Sequence, residues 1–279
     1  MLLKSFSKIN LTLQVNKKVK NNSLHDIQSY YCLIDLHDSI NIKKIYGRKD
    51  IVKFHGGFAK YINVSKNSIK NTLYILRKNN LIINYYSVLI KKNVPIFAGL
   101  GGGTSNAAYL AKYLLKDKIG KNILDILSKK IGSDYKLFSY NQGFVANLNT
   151  ISKSKKKYSL FFVLVYPNIR CSTQYIYSKI TEYSSKSAIK DYNINTKQKF
   201  MKFLIEKNND LQKVVEKKYP IIKRILKDIG QLEGCYFSRL TGSGSVCYGV
   251  FKSRKAAKSA LSKVKLKYPK YWSSFAKTI

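Results

Sequence analysis

The chain is short of acidic residues, histidines and cysteines, and each shortage excludes a class of site. Its 279 residues include 14 Asp and Glu against 52 Lys and Arg, so few carboxylates are available to act as a base. The presence of only 3 histidines excludes a His-rich metal centre. The 4 cysteines are scattered without Cys-x-x-Cys spacing, which indicates ordinary buried thiols instead of disulfides or metal ligands.

Long hydrophobic runs are also lacking. No run approaches the roughly 20 apolar residues that a membrane-spanning helix needs, and the residues from Met1 to Ser7 contain no apolar signal core. We therefore expect a soluble, cytoplasmic protein with no membrane partner. With 279 residues and 45% hydrophobic content, the chain is long enough for one large or two modest domains, each with its own core.

The charge of the chain is strongly positive, with a formal net value of +38. Such a charge is typical of proteins that bind nucleic acid or anionic membranes. Here the lysines are spread along the whole chain and accompany many Asn, Ile and Tyr residues, a pattern that AT-rich coding would produce. We therefore expect no nucleic-acid partner, and a basic, non-catalytic nucleic-acid-binding protein is the minority alternative.

A glycine-rich stretch from Pro95 to Ala108 precedes a helical pattern. Four of the five residues from Gly99 to Gly103 are glycines, which permit left-handed backbone angles and close approach of a ligand. Apolar residues then recur at helical spacing, and Thr104, Ser105 or Asn106 are candidate caps of that helix. A glycine loop that leads into a helix N-terminus binds anions, so the stretch predicts a phosphate site. A simple glycine-rich turn is the less favoured alternative.

No lysine follows the last glycine, so the stretch is not a Walker A loop, and its spacing differs from the dinucleotide-binding fingerprint. It resembles the Pro-x-x-x-Gly-Leu-Gly-Ser-Ser motif with which the GHMP kinase superfamily binds ATP. The residue sequence at 99–108, Gly-Leu-Gly-Gly-Gly-Thr-Ser-Asn-Ala-Ala, is most similar to that of the branch that phosphorylates 4-diphosphocytidyl-2-C-methyl-D-erythritol. The resemblance implies that ATP is bound by Pro95, Ala98, Gly99, Leu100, Gly101, Gly102, Gly103, Thr104 and Ser105, and by Asn67, which matches a family Asn near the adenine.

Two further segments imply catalytic residues. The residues from Ser5 to Val15 alternate between polar and apolar, which predicts a half-buried strand. They resemble the family's Ala-Lys-Ile-Asn-Leu, which implies that Lys8 holds charge near the transferred phosphoryl group and that Asn10 binds substrate. Gly-Ser-Asp at 132–134 resembles the family's Gly-Ser/Ala-Asp, which implies that Asp134 is the general base. A helix cap is the ordinary alternative for this aspartate.

The resemblance also implies residues that bind the substrate. His25 matches the histidine that holds the cytosine, whereas Leu24 stands where the family has a tyrosine; a histidine in a surface loop is an equal alternative. Tyr177 lies where the family often has an aromatic residue that stacks on the base, and a core tyrosine is equally favoured. The second glycine turn, at 241–245, resembles the family's Ser-Gly-Ser-Gly-Ser and implies that Gly242 binds substrate.

The fold that the resemblance implies is a two-domain α+β GHMP kinase. An N-terminal domain like ribosomal protein S5 domain 2 would occupy residues 1–157, and a ferredoxin-like C-terminal domain would occupy residues 158–279. The implied reaction is phosphorylation of the 2-hydroxyl by ATP with Mg²⁺, which Thr104 or Ser105 would contact; no metal ligand is assigned. The implied protein is a monomer or homodimer. A kinase of homoserine, mevalonate or a sugar is the alternative.

Overall fold

The computed structural model describes residues 1–18, 25–147, 150–186 and 194–279. Leu24, which stands where the family has a tyrosine, lies outside these residues. The chain forms two compact units, each built from three stretches. Unit 1 comprises Met1–Lys8, Leu36–Ile96 and Gly101–Ser139, and unit 2 comprises Ile9–Asp35, Phe97–Leu100 and Tyr140–Ile279. The boundary expected between residues 157 and 158 stays a prediction.

Unit 1 combines a small sheet with three helices. Its elements are parts of β1 (Leu2–Asn10) and β3 (His25–Ile45), the strands β4 (Ile51–His55) and β5 (Tyr85–Lys91), the helices α1 (Ser68–Lys78), α2 (Gly102–Leu114) and α3 (Lys121–Ile131), and short 3₁₀ turns at Ala59–Tyr61 and Ser133–Ser139. The later part of β3 pairs antiparallel with β5, and β4 pairs parallel with β5. Helix α1 buries the apolar stripe formed by Ile69, Leu73 and Leu76.

Unit 2 contains a four-stranded antiparallel sheet with the strand order β11-β8-β10-β9. Unit 2 also holds the end of β1 and the first part of β3. Its other elements are β2 (Gln14–Lys18), β6 (Gln142–Asn147), β7 (Thr150–Lys153), β8 (Phe161–Tyr166), β9 (Cys235–Leu240), β10 (Cys247–Phe251), β11 (Trp272–Lys277), α4 (Thr173–Ser178), α5 (Lys197–Glu206), α6 (Gln212–Lys218), α7 (Pro220–Gly230) and α8 (Arg254–Lys267). From β8 onward, the order of strand, helices, two strands, helix and strand is the ferredoxin-like arrangement, which confirms that prediction. Ile225 and Ile229 of α7 and Ala260 of α8 share a core with Val163 and Val165 of β8.

The strand expected from Ser5 to Val15 differs in two respects. It stops at Asn10, and the next strand begins at Gln14. Its polar face is as buried as its apolar face, with Asn10 4% and Thr12 1% exposed. These polar groups are buried because they are hydrogen-bonded: Asn10 Nδ2 donates to Ser29 Oγ (2.8 Å), and Tyr30 N donates to Thr12 Oγ1 (2.9 Å). The prediction of a half-buried strand is therefore wrong.

All four cysteines are free, and only Cys235 is not fully buried. None of the helices formed by the described residues combines the length and the apolar character that crossing a membrane requires.

Candidate active site

The glycine loop enters helix α2 through a left-handed residue. Gly101 precedes the helix with φ +69°, and no side chain caps the first turn. The expectation that Thr104, Ser105 or Asn106 caps the helix is wrong, because α2 already begins at Gly102. A glycine can make this turn without steric cost. The first amides of α2 therefore receive no side-chain acceptor and present the positive end of the helix dipole, as an anion site requires.

The two residues expected to be catalytic meet beside this loop. Lys8 Nζ lies 3.2 Å from Asp134 Oδ2, with 3% of the lysine side chain and 37% of the aspartate side chain exposed. A Cβ atom on Gly101 would lie 3.3 Å from Lys8 Cε, so the lysine packs directly against the start of α2. Asp134 occupies the first turn of the 3₁₀ segment Ser133–Ser139. Unit 1 thus joins a buried cation, an accessible carboxylate and a helix N-terminus.

The two hydroxyl residues of the loop have different environments. Ser105 is 0% exposed, and its Oγ lies 2.5 Å from the Phe6 carbonyl oxygen and 2.7 Å from Ser5 Oγ. Its amide donates to Gly101 O at 2.8 Å. Ser105 therefore fastens α2 to β1, and its side chain does not face a ligand. Thr104 is half-buried, and a Cβ atom on Gly132 would lie 3.5 Å from its Oγ1, which places its hydroxyl near the Gly-Ser-Asp segment.

Asn67 acts as the N-cap of α1. Its Oδ1 accepts from Lys70 N at 3.0 Å, and its Nδ2 donates to the carbonyl of Val64 at 3.2 Å. The adenine contact expected of this side chain stays a prediction. The next residue ties the two helices together, because Ser68 Oγ donates to Gly103 O at 2.7 Å. Helix α1 therefore holds the exposed glycine of the loop in place.

A buried ion pair beneath the loop was not predicted from the sequence. Lys92, 1% exposed, pairs with Asp38, 0% exposed. Asp38 Oδ1 also accepts from Asn93 N (2.8 Å) and Val94 N (2.9 Å), so it fixes the chain that leads into the loop. A Cβ atom on Gly102 would lie 3.5 Å from Lys92 Nζ. No local pattern links an aspartate in β3 to a lysine that follows β5, so only the fold shows this pair.

In unit 2, the first half of the glycine loop contacts the second glycine turn backbone to backbone. A Cβ atom on Gly99, whose φ is +84°, would lie 2.1 Å from Thr241 O. A Cβ atom on Gly244 would lie 2.1 Å from the Ala98 carbonyl carbon, and Val246 N donates to Ala98 O at 3.2 Å. Both glycines are therefore required for this packing.

Three other residues of the glycine loop have buried side chains that pack inside the protein. Pro95, Ala98 and Leu100 are buried, and the last two are 2% and 0% exposed. Any contact that they make with ATP would therefore use their backbone. The carbonyl of Gly242 accepts from Asn209 Nδ2 at 2.8 Å, which holds the second glycine turn in place.

The residues expected to bind substrate all lie in unit 2, and two of them touch. His25 is 7% exposed at the start of β3, which argues against the surface-loop alternative. Its ring stacks on Tyr177 with centroids 5.7 Å apart and on Tyr183 with centroids 5.6 Å apart. Asn10 N donates to Thr241 Oγ1 at 3.0 Å. Tyr183 was not predicted, because it lies in a polar segment without periodicity. Helix α4, which carries Tyr177, is capped by Ser172.

Among the described residues, no group of three or more His, Cys, Asp and Glu side chains could hold a metal ion by itself. A metal that acts here would therefore depend on oxygen atoms of a bound ligand as well as on the protein.

Comparisons with known proteins find relatives that match almost the whole chain. The family model "GHMP kinases C terminal" matches residues 193–270. The 4-diphosphocytidyl-2-C-methyl-D-erythritol kinase of Pelagibacter ubique is 38% identical, over 99% of this chain and 98% of that protein. The enzyme of the same name from Wolbachia pipientis wMel is 32% identical, over 97% of this chain and 96% of that protein.

Solved structures show the same fold. A crystal structure of 4-(cytidine 5'-diphospho)-2C-methyl-D-erythritol kinase has a TM-score of 0.70 and 19% identity and covers 99% of both chains. The Methanococcus jannaschii mevalonate kinase has a TM-score of 0.68 and 16% identity, over 100% of this chain and 98% of that chain. The expectation of a two-domain α+β GHMP kinase fold is confirmed.

Proposed function

Because the chain belongs to the family of 4-diphosphocytidyl-2-C-methyl-D-erythritol kinases, we infer that it phosphorylates the 2-hydroxyl of 4-diphosphocytidyl-2-C-methyl-D-erythritol with ATP, in the non-mevalonate route to isoprenoid precursors. The alternative of a homoserine or mevalonate acceptor is not favoured. Solved kinases for those acceptors share the fold at only 13% and 16% identity.

The ion pair of Lys8 and Asp134 beside Gly101 is the observation that carries the mechanism. The accessible carboxylate of Asp134 orients the 2-hydroxyl and accepts its proton as the hydroxyl oxygen attacks the γ-phosphorus of ATP. The bond from the γ-phosphorus to the bridging oxygen breaks, and ADP leaves. The ammonium of Lys8 holds the carboxylate at 3.2 Å and stabilises the negative charge that develops on the transferred group.

The start of α2 binds the phosphates of ATP in this proposal. Its amides and the positive end of the helix dipole attract phosphate oxygens, and the absence of a Cβ atom at Gly103, which is exposed, lets them approach. Thr104 contributes the accessible hydroxyl, whereas Ser105 acts only by holding α2 on β1. The adenine contact of Asn67 would use the second lone pair of Oδ1, because Nδ2 already donates to the carbonyls of Asn63 and Val64.

Mg²⁺ would accompany ATP. The Thr104 hydroxyl, which is half-buried beside the Gly-Ser-Asp segment, fits this role as an oxygen donor. It would hold the ion together with phosphate oxygens, and the ion would neutralise charge on the phosphates. We propose that the cytidyl end of the substrate is recognised by Asn10, His25, Tyr177 and Gly242 of unit 2.

The test is ADP release from Mg-ATP in the presence of the cytidyl substrate, homoserine, mevalonate or galactose. Turnover with the cytidyl substrate alone supports the proposal. Turnover with a different alcohol would replace the substrate and leave the mechanism intact. Binding of ATP without turnover of any acceptor would contradict the proposed substrate class.

A further inference from the structure

We propose that Tyr183 positions the imidazole ring of His25 and thereby determines how the substrate's nucleobase is recognised. This inference rests on the function proposed above, in which His25 contacts the base. It adds a residue that neither the sequence motifs nor the comparisons assign. The segment that carries Tyr183, Glu182–Lys186, is called the 182–186 segment below.

The ring geometry defines the role. The Tyr183 and His25 rings lie 5.6 Å apart between centroids with an interplanar angle of 25°, which is an offset stack. Tyr177 makes a matching contact with the same imidazole, at 5.7 Å and 26°. Tyr177, in α4, and Tyr183, in the 182–186 segment, thus hold one imidazole plane. An imidazole recognises a base through its ring edge, so the orientation of its plane determines which hydrogen bonds it makes.

The 182–186 segment is fixed by hydrogen bonds immediately after Tyr183. Ser184 N donates to Val15 O at 2.9 Å, and Ser184 O accepts from Asn16 Nδ2 at 2.8 Å. Ser184 Oγ donates to Asp210 Oδ2 at 2.7 Å, and the same carboxylate oxygen accepts from Val15 N at 2.8 Å. These bonds attach Ser184, the residue next to Tyr183, to β2. The tyrosine is therefore held on the imidazole without support from a regular helix or strand of its own.

The segment is also fixed next to the histidine itself. Lys186 Nζ lies 2.9 Å from Oδ2 of Asp26, the residue that follows His25 in β3. The aspartate side chain is 12% exposed and the lysine side chain is 54% exposed, so solvent screens this pair from one side. The residues that follow Tyr183 are therefore bonded both to β2 and to the residue next to His25.

Tyr183 remains 40% exposed although its ring covers a buried histidine. A side chain whose task was only to fill the core would be buried on all sides. The partial exposure leaves the stack accessible at its edge, where a nucleobase can approach. Tyr183 therefore has the properties expected of a positioning residue at the base site. Its replacement should change the KM for the cytidyl substrate and leave the KM for ATP unchanged.

The experiment compares Tyr183→Ala, Tyr183→Phe and Tyr183→Leu with the unchanged protein. Tyr46→Ala is the control, because Tyr46 is 99% exposed in unit 1. Loss of one aromatic stack should raise the KM for the cytidyl substrate about threefold to tenfold in the Ala and Leu variants. The Phe variant should restore the KM, while kcat, the KM for ATP and the melting temperature stay unchanged. A second readout is the ¹³C resonance of His25 Cε1 during titration with cytidine diphosphate.

The resonance should move on titration in the unchanged protein and move less in the Ala variant. The inference would be overturned if the Ala variant had the same KM as the unchanged protein and its His25 resonance moved equally far on titration. Equal changes in the KM for ATP and for the cytidyl substrate would also overturn it, because these would mean a general structural role. If the unchanged protein did not phosphorylate the cytidyl substrate, the proposed function would fail. The titration would still test the inference without turnover, because the inference requires only that cytidine diphosphate shifts the His25 resonance and that this shift depends on Tyr183.

Discussion

The ammonium nitrogen of Lys8 lies 3.2 Å from Oδ2 of Asp134, yet the two side chains differ tenfold or more in exposure, at 3% and 37%. The cation is held inside unit 1 and the carboxylate opens outward. A carboxylate held in this way has one side fixed by the lysine and another side available to a substrate hydroxyl. This asymmetry distinguishes the pair from an ordinary surface salt bridge, in which both partners are exposed.

Replacing Asp134 with Asn should abolish most of the phosphoryl transfer. The amide keeps the shape but cannot accept the proton, so kcat should fall about 10²- to 10⁴-fold with little change in the KM for ATP. Steady-state ADP release measures both constants. Asp125→Asn is the matched control, because its carboxylate is 50% exposed on α3 and pairs with Lys136. Near-normal kcat in the Asp134 variant would remove this residue from the mechanism.

The two loop hydroxyls should separate into a structural and a binding role. Ser105→Ala removes buried hydrogen bonds to β1 and should lower the free energy of unfolding by about 1–3 kcal/mol. Thr104→Ala should leave stability unchanged and raise the KM for Mg-ATP. Chemical denaturation and ATP titration together measure the difference. Equal effects of the two variants on the KM would show that the burial of Ser105 does not decide its role.

Gly99 should tolerate no side chain. In Gly99→Ala the new Cβ would lie 2.1 Å from Thr241 O at a φ of +84°, so backbone must move and the protein should unfold at a much lower temperature. In Gly57→Ala the new Cβ meets nothing within 4 Å, which makes this variant the control. Thermal unfolding of both proteins is the measurement. A melting temperature for Gly99→Ala equal to that of the control would contradict the close contact.

The helices and most strands follow from local patterns, whereas several contacts at the site do not. The sequence correctly placed the glycine loop before a helix. The prediction of the residue that caps α2 was wrong because local propensity favours Thr, Ser or Asn at a helix N-terminus. In the structure, Gly101 makes the turn by its backbone alone. The sequence placed Lys8 and Asn10 on a strand face but could not show that this face is buried, since their partners are distant in the chain.

Removing one charge of the Asp38–Lys92 pair should lower the free energy of unfolding more than removing both charges. Asp38→Asn leaves the buried Lys92 charge without a counter-charge and should lower the free energy of unfolding by about 3–5 kcal/mol. The double variant Asp38→Asn with Lys92→Met should recover part of that loss, because no charge is then buried. Urea unfolding of the two variants and of Asp125→Asn gives the comparison. A single variant as stable as the double variant would show that the pair carries no coupling.

The cysteines should resist thiol reagents until the protein unfolds. Burial raises the pKa of Cys171 to about 11 and the pKa of Cys235 to about 11, and it raises the pKa of Cys32 and Cys247 further. At pH 8 the folded protein therefore holds little thiolate and should react slowly with Ellman's reagent, whereas all four thiols should react in denaturant. Unfolded thiols ionise near pH 8.5, about their ordinary pKa, so stability should fall as pH rises above that value. Rapid reaction of the folded protein would contradict this burial.

The division of the chain among the two units has a consequence for biosynthesis. Unit 1 takes its last stretch up to Ser139, whereas unit 2 needs both Ile9–Asp35 and the C-terminal residues. On the ribosome, unit 1 can be completed while the remainder of the chain is still being made. The segment Ile9–Asp35 must wait for partners such as Asp210 and Thr241 until those residues have been synthesised. During that interval the nascent chain exposes apolar residues, including Leu11, Leu13 and Val15, which are sites where a chaperone that binds extended apolar segments would act.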